Sequence, residues 1–255
     1  MGVVSVGMHR WPIVSVVLWL AGCAGTTPPV DRQAEIERTW GEARVHLPGR
    51  FDPMPLREVA ADRPWPVVLY FHGCTGIVHH DRRWANALSA IGVAVVQPDS
   101  FARTYRRSNC APGTHQVNLF PEASRMREEE VRHAVARAKK TPWIDPERIF
   151  VMGHSEGGLA AMITIVPGVR ATIVSGWACS SLNPRFIGIP HPGAHPLLIF
   201  GYDSDPWYAT RNGSCLDHLI GRSATEYVRL GSAGHNTSQS VLALERAAHF
   251  IRRHL

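Results

Sequence analysis

The sequence predicts an α/β fold, a mainly parallel twisted sheet with helices on both faces. Three observations carry that prediction. Short, nearly continuous apolar runs such as Pro66–Phe71, Gly92–Val96 and Arg148–Met152 have the length and composition of strands buried on both sides. Stretches with helical apolar spacing lie between them, and strands that alternate with helices pair in parallel through crossovers. The 255 residues, 45% apolar and 19% charged, suffice for one well-filled core and exclude a disordered or fibrous chain.

The first residues read as an address rather than as fold. His9 and Arg10 precede an apolar run from Trp11 to Leu20; Ala21, Gly22 and Cys23 follow, then Thr26-Thr27-Pro28-Pro29. A basic start, a short apolar segment and small residues before a break describe a secretory signal. The run is too short to span a bilayer comfortably, and without eighteen consecutive apolar residues anywhere a multi-span membrane protein is excluded. Leu20-Ala21-Gly22-Cys23 resembles the lipobox of bacterial lipoproteins. The resemblance implies cleavage before Cys23, lipidation of that cysteine and residence on the periplasmic side of a bacterial membrane or at the cell surface. The expected organisation is a signal peptide at 1–22, a lipidated tether at 23–35 and a single domain at 36–255, with Met1 and Met8 both open as the start.

Within the domain, residues 36–62 are weakly patterned and suggest a short helix and an edge hairpin around Arg44–Pro48. The strand Pro66–Phe71 ends in His72-Gly73. A helix is expected from Trp84 to Ile91, and the strand Gly92–Val96 runs to Pro98-Asp99. Residues 100–121 read as a long loop. Glu122–Lys140 is a helix with Val131, Ala134, Val135 and Ala138 as its apolar stripe. The strand Arg148–Met152 leads into a helix from Gly157 to Val166, stopped by Pro167-Gly168. Three more strands follow at 171–174, 197–200 and 226–230, and an amphipathic helix, Gln239–Arg253, closes the chain.

The formal charge of +6 is an arginine effect, because Lys139 and Lys140 are the only lysines. The arginines are scattered, with no long basic run and no zinc-finger spacing, which argues against nucleic-acid binding. Of five cysteines, Cys23 is assigned to lipid; Cys74, Cys110, Cys179 and Cys215 remain, an even number in an oxidising compartment. Four cysteines allow three pairings. Cys74 with Cys110 and Cys179 with Cys215 is preferred, since each would tie neighbouring loops. No CxxC spacing points to zinc, and nothing calls for a cofactor.

The chemistry concentrates at Gly153-His154-Ser155-Glu156-Gly157, between a strand and a helix. A serine nucleophile needs a sharp, strained turn there, and glycines two residues to either side relieve its crowding. Activation requires a base and an orienting acid. His235 follows the last strand and Asp205 the strand before it, both at carboxyl ends where open sheets gather reacting groups. Asp203 competes with Asp205 for the acid; Asp205 is favoured because it directly precedes Pro206. The oxyanion donors would be the backbone N–H groups of Cys74 and Glu156.

These pieces carry a resemblance. Phe71-His72-Gly73-Cys74-Thr75-Gly76, Pro98-Asp99-Ser100-Phe101-Ala102-Arg103, the Gly153–Gly158 segment, Asp205-Pro206 and Gly234-His235 resemble the α/β-hydrolase superfamily, most closely its secreted dienelactone hydrolase-like members. The resemblance covers residues 64–255. It implies a carboxylic-ester hydrolase with a Ser-His-Asp triad and a small-molecule or polymeric ester substrate. Dienelactone hydrolases proper use a cysteine nucleophile, so Ser155 favours a general ester over dienelactone. The His-Gly-Cys segment is also similar to secreted polyester depolymerases and feruloyl-type esterases. A non-catalytic binding lipoprotein on the same scaffold, and a peptidase or amidase, stay open as alternatives.

Other residues have quieter expected roles. His154 reads as a packing or hydrogen-bonding neighbour, and His72 as a brace for the oxyanion loop. His79, His80, His191 and His195 are expected to be solvated loop histidines rather than metal ligands. Arg103, Arg106 and Arg107 are expected on the surface near the pocket mouth, with binding of an acidic substrate group as the alternative. Trp177 and Trp207 follow strand ends and could line an acyl pocket or pack in the core.

Overall fold

The computed structural model describes residues 1–3, 31–60, 63–111, 114, 116–181, 183–207, 214–231 and 233–255. The chain divides into two units, Met1–Val30 and Asp31–Leu255, and the fold below is that of the second. Apart from its first three residues, the expected signal peptide lies outside the described residues, as does Cys23. Among the described residues no helix is long and apolar enough to cross a membrane.

The central sheet has eight strands: β1 (Arg44–His46), β2 (Met54–Pro55), β3 (Trp65–Phe71), β4 (Ala94–Gln97), β7 (Ile144–His154), β8 (Thr172–Ser175), β9 (Leu197–Gly201) and β10 (Thr225–Arg229). Their order is β10-β9-β8-β7-β3-β4-β1-β2. The six from β10 to β4 run parallel, while β1 pairs antiparallel with β4 and β2 antiparallel with β1. The hairpin expected around Arg44–Pro48 is therefore the antiparallel edge of an otherwise parallel sheet. A separate two-stranded hairpin, β5 (Cys110–Ala111) with β6 (Gln116–Val117), forms within the stretch expected to be plain loop.

Strand alternation sorts the core into two apolar layers. Val67, Leu69 and Phe71 of β3 face a cluster with Trp40, Val131, Ala134 and Leu159, contributed by α1 (Arg32–Gly41), α3 (Ala123–Ala138) and α4 (Glu156–Ile163). Val68 and Tyr70 face the opposite cluster with Trp84, Leu88, Ala247 and Phe250, from α2 (His79–Ser89) and α5 (Val241–Arg253). Burial on both sides is why these strands are apolar throughout.

Two helix starts differ from expectation by more than two residues. The helix α1 begins inside the stretch 23–35 expected to be tether, because the Asp31 side chain caps it by accepting from the N–H groups of Gln33 and Ala34 at 3.0 and 3.1 Å. The helix α2 begins at His79 rather than Trp84. Its cap position is Val78, whose side chain cannot accept; the carboxylate of Asp81 instead reaches back to the Val78 N–H at 2.8 Å.

Candidate active site

Ser155 joins β7 to α4 with φ +56° and ψ −116°, a backbone state rare for a residue with a side chain. Neighbouring glycines make the turn possible. A Cβ on Gly157 would come within 2.0 Å of the Phe71 carbonyl oxygen, and one on Gly153 within 2.0 Å of the Gly157 oxygen. Only bare backbone fits where this turn crosses β3. The Ser155 N–H donates to the Ser175 carbonyl at 2.8 Å, tying the turn to β8. Ser155 ends up buried, at the carboxyl edge of the sheet.

The segments after β9 and β10 meet beside it. Their backbones are stitched together by Asp203 N–H to the Gly231 oxygen at 3.0 Å and Gly234 N–H to the Ser204 oxygen at 3.1 Å. This brings His235 Nδ1 to 2.7 Å from Asp205 Oδ2. The second carboxylate oxygen of Asp205 accepts the Trp207 N–H at 2.9 Å. A carboxylate only accepts, so Nδ1 carries the hydrogen and Nε2 is the basic nitrogen. Asp203 is turned outward: its Oδ1 accepts from Arg229 Nε at 2.8 Å, and that hydrogen bond holds the carboxyl below its usual range. Of the two candidate acids, Asp205 is the one brought to His235. Ser155 and His235 line one cavity of about 270 Å³, together with Cys74, His80 and Asn236.

The loop after β3 passes on the other side of Ser155; a Cβ on Gly73 would touch the Ser155 Cβ at 3.4 Å. Its brace is His72. The Ser100 N–H donates to His72 Nε2 at 3.1 Å, which fixes the proton on Nδ1, and Nδ1 lies 2.7 Å from the Gly73 oxygen. Burial, reinforced by the Arg127 cation, lowers the His72 pKa to about 3, so the ring is neutral and serves as the expected brace. Glu156 opens α4, where first-turn N–H groups have no partner within the helix.

Behind the loop after β3 and the start of α4 lies a buried ionic network that sequence reasoning missed. Arg127 donates to Glu130 Oε2 at 2.7 Å and to the His72 carbonyl at 2.6 Å. Arg103 donates to Glu130 Oε1 at 3.1 Å, and Arg106 to Glu156 Oε1 at 2.5 Å. Ser100 links the halves, donating to Glu130 at 2.8 Å and accepting from Arg106 at 3.2 Å. The surface expected for Arg103 and Arg106 is thus corrected: carboxylates on α3 and α4 draw them inward, leaving Arg107 exposed. The legible signal was Arg127 and Glu130, two charges on the same helical stripe as Val131 and Ala134.

The histidines also need correction. His79 and His80 sit in the first turn of α2, not in a loop, and His80 Nε2 stands 3.2 Å from the buried Asp81. Burial alone would raise the Asp81 pKa, but His80, the Tyr70 hydroxyl at 2.5 Å and the Val78 N–H hold it below its usual value. His191 is buried with Nε2 3.0 Å from the Ala161 oxygen, its ring stacked on that of His195. Burial and the neighbouring His191 lower His195 to about 4. His154, buried with Nδ1 2.9 Å from Ser175 Oγ, is a hydrogen-bonding neighbour held well below its usual pKa by burial and by His235. Among the described residues no group of three His, Cys, Asp or Glu is placed to hold a metal.

A second cavity, about 560 Å³, meets the first at Cys74, Ser155 and Trp207 and is walled by Leu159, Trp177, Phe186 and residues 116–119, which include β6. Trp177 belongs to the apolar core as well as to this wall. The preferred disulfides are present and frame the cavity. Cys74–Cys110 ties the hairpin to the loop after β3, and Cys179–Cys215 ties the segments after β8 and β9.

Comparison with known proteins identifies the family. The model of the dienelactone hydrolase family matches residues 56–219. No curated protein matches the sequence. Among solved structures, the fold is similar to Est1E from Butyrivibrio proteoclasticus, at 15% identity and TM-score 0.57, covering 83% of this chain and 93% of that one. It is similar to the esterase domain of a Rhodothermus marinus protein, at 21% identity and TM-score 0.53, covering 83% and 92%. It is also similar to XC6422 from Xanthomonas campestris, an α/β serine hydrolase without a lid, at 16% identity and TM-score 0.54, covering 83% and 88%. With the parallel sheet, the strained turn at Ser155 and a family match over most of its length, the chain belongs to the dienelactone hydrolase family, on an α/β-hydrolase fold.

Proposed function

We propose that the protein is a serine hydrolase of carboxylic esters that works through an acyl-enzyme. The observation that carries this reading is the 2.7 Å contact of His235 with Asp205, in the cavity that the strained Ser155 lines. Ser155 Oγ bonds to the ester carbonyl carbon while His235 Nε2 takes its proton, and Asp205 holds the ring and stabilises its charge. The carbonyl electron pair moves to oxygen, where the N–H groups of Cys74 and Glu156 receive it, each donor contributing about 3–4 kcal/mol by the usual measure. Collapse breaks the bond to the leaving oxygen, which takes the proton from Nε2. Water then repeats the sequence and releases the acid. The esterases and serine hydrolase among its structural neighbours support an ester substrate, as does serine at a position where dienelactone hydrolases proper carry cysteine.

Ser155→Ala should lower kcat for p-nitrophenyl acetate by at least ~10⁴-fold with unchanged thermal unfolding. Undiminished turnover would overturn the assignment. The residues from Leu20 to Cys23 support a second part of the reading, an exported protein held to a membrane by lipid on Cys23. Cys23→Ala should move the protein from the membrane fraction to the soluble one; persistence in the membrane would contradict it.

A further inference from the structure

Two unequal cavities meet at Ser155, and the proposed chemistry assigns a different half of the substrate to each. The leaving oxygen must receive its proton from His235, so the alcohol lies on the His235 side. That side is the cavity of about 270 Å³, bounded by Val78, His80, Asn236 and Trp207, the last shared with the larger cavity. The acyl group extends the other way, into the cavity of about 560 Å³ that His235 does not line. Sites for drug-sized ligands run to roughly 300–1,000 Å³, a range that only the acyl side enters. Its walls include the aromatic residues Trp177 and Phe186, with Trp207 at the junction of the two cavities, and aromatic walls suit a ring-bearing group. The Cys74–Cys110 and Cys179–Cys215 bonds anchor the segments that form these walls.

We propose, resting on the ester-hydrolase reading above, that the substrates join a bulky, ring-bearing acyl group to a small alcohol. The large cavity admits the acid half, and the small one limits the alcohol. Selectivity therefore resides on the acyl side of the scissile bond.

The test uses an isomeric pair, methyl hydrocinnamate and phenethyl acetate, which carry the same atoms with the ring on the acid or on the alcohol. The expected kcat/KM for methyl hydrocinnamate exceeds that for phenethyl acetate by tenfold or more, on the order of what a well-filled pocket discriminates. Ser124, on the wall of the large cavity, supplies the second arm. Ser124→Trp should lower kcat/KM for methyl hydrocinnamate by about tenfold more than for phenethyl acetate, erasing most of that preference. Equal rates, a reversed preference, or equal loss of both substrates in Ser124→Trp would overturn the proposal while leaving ester hydrolysis standing. Failure of the unaltered enzyme to turn over either ester, or any p-nitrophenyl ester, would overturn the hydrolase reading and this proposal with it.

Discussion

Asp203 and Asp205 stand two positions apart, yet one meets solvent and Arg229 and the other meets His235. In the proposed mechanism only the second matters. Asp205→Asn should lower kcat by about 10⁴-fold, because the amide favours the wrong imidazole tautomer. Asp203→Asn removes an exposed ion pair and should leave kcat within about threefold. Steady-state kinetics of both variants check this; the reverse ranking would move the acid by two positions. At this scale the sequence was informative wherever a residue's role follows from its neighbours in the chain. The strained turn at Ser155 between glycines, the choice of Asp205 over Asp203 beside His235 and the His72 brace were legible as placements. Arg103 and Arg106 were not, because the carboxylates that bury them belong to α3 and α4 and reach them only through tertiary packing.

Strand positions were legible to within a few residues, since continuous apolar runs survive any detail of packing. Elements built from few residues were not. Two-residue strands such as β5 and β6 are too short to show a period, and α2 takes its cap from Asp81, three residues inside the helix. The helix α3 does more than cover the sheet. Its Arg127 and Glu130 join the His72 carbonyl to the Arg103 side chain, and Arg127 Nε lies 3.5 Å from Glu156. Removing one partner from a buried charged set strands the others, at a cost of about 3–5 kcal/mol. Arg127→Met should show that loss in urea unfolding, and in the proposed mechanism kcat should fall more than KM changes because the loop after β3 loses its brace. A loss below about 1 kcal/mol would mean the network is solvated rather than buried.

Across the whole molecule, the histidines set the response to acid. His72 is neutral with its pKa lowered to about 3, and His154 is lowered by burial and by His235. Unfolding returns both to water, where they bind protons near pH ~6.5. The unfolded chain thus holds more protons between that value and the depressed ones, so stability is full above the window and falls as pH drops through it. The urea midpoint should be clearly lower at pH ~5 than at ~7.5, with net proton uptake on unfolding at the lower pH; a flat profile would contradict buried neutral histidines. The overall architecture, helices on both faces of a parallel sheet, was legible because it rests on alternation along the chain. The two cavities were not, since their walls come from loops and helix starts far apart along the chain. Convergence of Ser155, His235 and Asp205 at one sheet edge is the central claim. Labelling with a fluorophosphonate, followed by peptide mass mapping, tests it most directly. The adduct should sit on Ser155, should abolish ester hydrolysis in proportion to labelling, and should form far more slowly in His235→Ala. Full hydrolytic activity in protein whose Ser155 is fully labelled, or an inactivating adduct on another residue, would contradict it.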